Sequence, residues 1–202
     1  MRLAAAVAFL VLAAAPAAAQ VVVVDGKEMR LTKEDLPEGY PPKMGDVTGT
    51  LDGKPVAWET YDFSVGAFDA SAGATSDWET KVISVRIVGY TPGDPDSDKM
   101  RVRLQGDFGT VLRPGAASGN VEIAVLRDKD WDGARLTSDG KRAELVIDSI
   151  GPKVPDSYSR HMTGHASGEL CPKKWLFKSC KVIELRFDTE VQVGSELTIE
   201  TK

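Results

Sequence analysis

Histidine and cysteine are scarce in this sequence: its 202 residues hold two of each, and aromatic side chains make up 7%. Two cysteines cannot build a zinc cluster of soft ligands, and two histidines leave little for a histidine-based metal centre or nucleophile relay. Positive charge is also short, with 25 Lys and Arg against 30 Asp and Glu. Without a basic excess to neutralise phosphates, nucleic acid is excluded as a partner of the whole domain. Long apolar runs are missing after the first residues, and no segment reaches the roughly 20 apolar residues that span a bilayer. Catalytic signatures are lacking as well, since neither G-x-S-x-G nor H-E-x-x-H occurs. The run Gly49 to Pro55 is too short for a phosphate loop and ends in Pro where a magnesium-binding hydroxyl belongs. An enzyme is therefore not indicated, although the many carboxylates leave a glycan-active enzyme as an alternative.

The opening Met1-Arg2-Leu3, the apolar stretch from Ala4 to Ala15 and the small residues Ala17 and Ala19 match a secretory signal over 1–19, with cleavage after Ala19. No cysteine follows that point, so a lipid anchor is not expected, and the mature chain reads as soluble, periplasmic or secreted. Cys171 and Cys180 fit export. In an oxidising compartment an even pair reads as a disulfide, and its spacing is not the C-x-x-C of a redox couple.

Helical periodicity is nearly absent; Met29 to Leu36, with Thr32 as a cap, predicts at most a short turn of helix. Two-residue alternation dominates. Ile83, Val85 and Ile87 alternate with polar neighbours, as do Met100, Val102 and Leu104, and Ile183, Leu185 and Phe187. Asp52-Gly53 predicts a tight hairpin between Val47–Leu51 and Val56–Phe63, and Asp139-Gly140 another between 135–137 and Ala143–Ile147. Further strands are expected at Val121–Leu126, Tyr158–Leu170 and Leu197–Thr201. The fold class is all-β: an antiparallel β-sandwich, alternatively a partly open β-barrel, of roughly nine or ten strands. Residues 20–45, rich in proline near their end, read as an extended N-terminal lead-in, and 46–202 as the β-sandwich domain.

Thr48-Gly49-Thr50-Leu51-Asp52-Gly53-Lys54-Pro55-Val56-Ala57-Trp58, together with Ser167-Gly168-Glu169-Leu170-Cys171, Cys180 and Glu184-Leu185-Arg186-Phe187-Asp188-Thr189, resembles uncharacterised exported β-sandwich proteins of proteobacteria. The resemblance implies a fold and a compartment. It implies no reaction and no functional residue.

Two spots carry chemistry. Asp128, Asp130 and Asp132, followed by Gly133 and by Asp139 at the twelfth position, reproduce a D-x-D-x-D-G spacing in which alternate oxygens converge on calcium. Arg135 at the eighth position, Asp instead of Glu at the twelfth and β-patterned flanks depart from that pattern, and a solvated acidic turn is the competing reading. The second spot lies between the cysteines, where Lys173, Lys174 and Lys178 surround Trp175, Leu176 and Phe177. Such a tip suits an envelope protein or a glycan as partner, or it folds back as a lid on the core with its lysines reaching outward. His161 and His165 fall on the odd, wet side of a strand whose even side carries Met162, Ala166 and Leu170. About 13 Å then separates the two rings, too far to share an ion. Trp58 and Trp78 read as core or rim aromatics. The sequence leaves oligomeric state open.

Overall fold

The computed structural model describes residues 20–24, 27–31, 40–64, 70–95, 100–126, 134–139, 142–153, 157–172 and 179–201. The chain divides into two compact units, Met1–Glu38 and Gly39–Lys202. In the first, β1 (Gln20–Val24) and β2 (Lys27–Leu31) form an antiparallel pair with Gln20 opposite Leu31. Of the segment Met29 to Leu36, Met29, Arg30 and Leu31 are strand, paired to the β-branched run Val21 to Val24, and Thr32 to Leu36, where a helical turn is expected, lie outside the described residues.

The second unit is all-β, and its described residues contain no helix. Its strands are β3 (Lys43–Leu51), β4 (Lys54–Tyr61), β5 (Ala72–Ser76), β6 (Ile83–Gly89), β7 (Arg101–Asp107), β8 (Gly115–Ala116), β9 (Val121–Leu126), β10 (Ala134–Thr137), β11 (Ala143–Ile150), β12 (Ser159–Leu170) and β13 (Lys181–Val193). They join in one mixed sheet of order β10-β9-β7-β6-β5-β13-β12-β11-β8, with β3 and β4 branching from β13. All pairings are antiparallel except β13 with β5, where Gln192 and Val193 run parallel to Gly73 and Ala74. The sheet curls into an open half-barrel. Isolated bridges stitch it further, among them Glu59 to Tyr90 between the ends of β4 and β6 and Thr137 to Cys171 between β10 and the end of β12.

Alternation explains what faces inward. Ile83, Val85 and Ile87 on β6, Val102 and Leu104 on β7, and Ile183, Leu185 and Phe187 on β13 are all buried, as are Met162, Ala166 and Leu170 on β12. Met100 falls just before β7 and stays exposed, its carbonyl accepting the indole N–H of buried Trp58 at 2.9 Å. Asp52 and Gly53 both adopt positive φ, 56° and 73°, as a tight hairpin of this hand requires, and connect β3 to β4.

Several expectations change. Asp139-Gly140 does not turn a hairpin between its flanking strands: β10 pairs with β9, whereas β11 pairs with β12 and β8. Leu197–Thr201 makes a parallel bridge, Ile199 to Leu112, and adds no full strand. Trp78 stands in the turn after β5 and is 76% exposed, no rim or core aromatic at all. Arg101, placed by alternation on the wet face, is buried with its guanidinium 4.9 Å from the Tyr90 ring centroid. There the outer face is covered by a second apolar cluster of Tyr61, Val88 and Tyr90, with Phe63 packed against it.

Where β4 meets β6, polar groups seal the seam. The Glu59 carboxylate accepts from the Tyr61 hydroxyl at 2.5 Å, from Lys43 Nζ at 2.9 Å and from the Gly93 backbone N–H at 2.7 Å. These donors hold its pKa down to about 2, with the Tyr61 hydrogen bond the largest cause. Asp46 and then Glu59 raise Lys43 to about 12, and burial, followed by the Glu59 carboxylate, raises Tyr61 to about 12. Inside the same ring of strands, Thr60 and Thr189 are fully buried and satisfy each other through a 2.6 Å hydroxyl contact.

Candidate functional site

β12 and β13 form the longest ladder of the sheet, twelve paired positions ending at Leu170 opposite Lys181. The next pair outward is Cys171 and Cys180, which form a disulfide with a Cα–Cα distance of 4.2 Å. Cross-strand neighbours lie at that separation in an antiparallel ladder, so register alone brings the two sulfurs together. Lys173, Lys174, Trp175, Leu176, Phe177 and Lys178 lie outside the described residues.

Three other segments converge on this end. Thr137 exchanges two backbone hydrogen bonds with Cys171, at 2.9 and 2.8 Å, which ties β10 to the base of the disulfide loop. The Asp52-Gly53 turn docks through the Asp52 N–H on the Val182 carbonyl at 2.7 Å, and Lys181 Nζ lies 3.8 Å from the Asp52 carboxylate. Beside them opens a cleft of about 700 Å³. Its floor includes Ala117, Val121, Leu145 and Ile183, and Arg142, Glu144, Glu169 and Glu184 stand among its walls. Val182, also in the lining, is 57% exposed. The described base of the loop therefore adjoins a mainly acidic rim around an apolar floor. Glu169 approaches both cysteine sulfurs, but the sulfurs are bonded to each other and offer no thiolate to a metal.

Asp139 belongs to this end as well. Its N–H donates to Thr137 Oγ1 at 3.1 Å, two residues beyond the bridge to Cys171. Asp128, Asp130 and Asp132 lie outside the described residues. The seventh to tenth positions of the calcium-type spacing are Ala134 to Thr137, and they form β10, with Ala134 opposite Leu126 and Thr137 opposite Ala124. Leu126 and Ala134 pair at one end of that ladder, while Asp139 follows the other end, roughly 10 Å along the strand. Of that twelve-residue spacing, the described residues therefore show only β10 and Asp139.

His161 and His165 keep to the outer face of β12, each with carboxylates of its own. His161 lies 3.2 Å from Asp188 and 3.3 Å from Glu190, and His165 lies 3.0 Å from Asp148.

The alternation reading also passed over one residue. The even-numbered row of β12 that buries Met162, Ala166 and Leu170 begins at Arg160, which is half-buried at the opposite end of the strand. The signal lay in the register: Arg160 is even-numbered, like the rest of that row.

No protein-family model, no curated protein and no solved structure matches the chain.

Proposed function

We propose that this chain is an exported β-sandwich binding module of the bacterial envelope, and that it contacts its partner through the disulfide-closed end of β12 and β13. One observation carries the reading: the Cys171–Cys180 bond closes the longest hairpin at the point where Thr137 and the Asp52 turn brace it. A disulfide of this kind persists in oxidising compartments, which agrees with the signal-like first 19 residues. A disulfide at the base of a loop lowers the entropy that binding must remove. The chemistry of Lys173, Lys174, Trp175, Leu176, Phe177 and Lys178 suits an acidic envelope protein, with apolar anchors at the centre and cations around them.

The test replaces Lys173 to Lys178 with a Gly-Ser segment of equal length in the full mature, oxidised chain. Cross-linked partners are then captured from an envelope fraction. Loss of the main cross-linked species on replacement, with unfolding midpoint retained, supports the module. An unchanged set of captured species refutes it.

A further inference from the structure

At the end of the barrel away from the disulfide, a pocket of about 390 Å³ opens where β12 begins and β13 ends. That volume lies within the range of small-molecule sites. Its floor is apolar, from Val193, Leu197 and Ile199. Its polar lining gathers two cations and three hydroxyls, from Lys153, Arg160, Ser157, Ser159 and Ser195. Tyr158 forms a lip, with 67% of its surface exposed.

Arg160 is the informative residue. Strand alternation turns it inward, and its Nη1 donates to the Gly151 carbonyl at 3.3 Å. Its Nε is shielded from solvent and finds no acceptor among the described residues. A guanidinium and a lysine that line one pocket present a site for an anionic oxygen. Ser157 Oγ already accepts the Ser159 N–H at 3.0 Å, which leaves its own proton to donate into the pocket. An exposed aromatic ring beside hydroxyls and cations matches the two faces of an acidic sugar, the ring covering the apolar C–H face and the cations meeting the carboxylate. Trp78, the most exposed aromatic of the described residues, is carried on the turn after β5, at the same end.

We infer that this pocket binds an acidic sugar residue, a uronic acid unit of an anionic polysaccharide, with Arg160 and Lys153 on the carboxylate and Tyr158 on the ring. The site is independent of the disulfide-closed end.

Calorimetric titration of the full mature chain with tetragalacturonate, and with cellotetraose as neutral control, tests it. Saturable binding of the acidic oligomer is expected, at least about tenfold tighter than the neutral one. Arg160→Gln and Tyr158→Ala should each weaken it by about tenfold or more, while Tyr158→Phe retains it. Equal binding of both oligomers, no saturable binding of tetragalacturonate, or affinity unaffected by both variants overturns the inference. So does full displacement of the oligomer by an equal concentration of inorganic phosphate, which would make the pocket a plain anion site. The Gly-Ser replacement of Lys173 to Lys178 should titrate like the native chain, so failure at one end is distinguishable from failure at the other.

Discussion

Glu59→Gln removes the charge at the centre of the β4–β6 seam without changing its shape. The native carboxylate accepts three hydrogen bonds, from Tyr61, Lys43 and Gly93, and its side chain is 17% exposed. Its pKa falls from 4.5 to about 2 on folding. At about 1.4 kcal/mol per pKa unit this shift corresponds to roughly 3 kcal/mol, and partial solvent contact reduces it to about 2. The folded pKa is depressed, so this stabilisation is fully present above the unfolded value near 4.5. It is lost as pH falls through that value toward about 2. Lys43, raised to about 12, changes nothing in this acid window, since its contribution disappears only as pH rises past its folded pKa. Urea unfolding followed by tryptophan fluorescence is a suitable assay, because Trp58 is buried and its indole is fixed on Met100. The variant should be less stable than native by about 2 kcal/mol near pH 6 and by only about 0.5 kcal/mol near pH 2.5. A cost that is the same at both pH values would refute the reasoning, because it would trace the loss to shape or neutral hydrogen bonding and not to ionisation.

Changing Cys171 and Cys180 together to Ser should cost about 2.5 to 3 kcal/mol, since the ten-residue loop regains its unfolded-state freedom; a reductant should lower the native melting temperature and leave the double variant unmoved. Gly164→Ala places a Cβ 2.2 Å from both the Phe187 ring and the Val146 carbonyl oxygen. Overpacking against backbone should cost about 3 kcal/mol in chemical denaturation. Trp78→Ala should change stability by no more than about 0.5 kcal/mol in the same assay, because that ring is 76% exposed; a larger loss would contradict its placement.

Much of the fold was legible because alternation is local physics. A strand with one buried face writes its period into its residues, and β6, β7, β12 and β13 bury the rows that alternation selects. Val121–Leu126 is a strand with those very limits, and Asp52-Gly53 makes its hairpin because glycine and aspartate tolerate positive φ. Asp139-Gly140 carries the same signal with a different result. A turn dipeptide specifies a local bend, whereas the strands that pair afterwards are selected by contacts distant in sequence. β10 found β9, and β11 found β12, so the two flanks of that turn parted.

The sequence by itself determined that this chain builds β-structure, which side of each long strand is apolar, and that its two cysteines suffice for one bond. The tertiary structure decided the rest. Parallel pairing of β5 with β13, the bridges at Glu59 and Cys171, burial of Arg101 under an aromatic cluster and exposure of Trp78 all depend on which strands become neighbours. Alternation says that a side chain points inward but not how deep the barrel is at that point. Met162 meets a packed core, whereas Arg160, two residues earlier on the same face, meets a pocket at the barrel's end, and only the curl of the sheet separates those two fates.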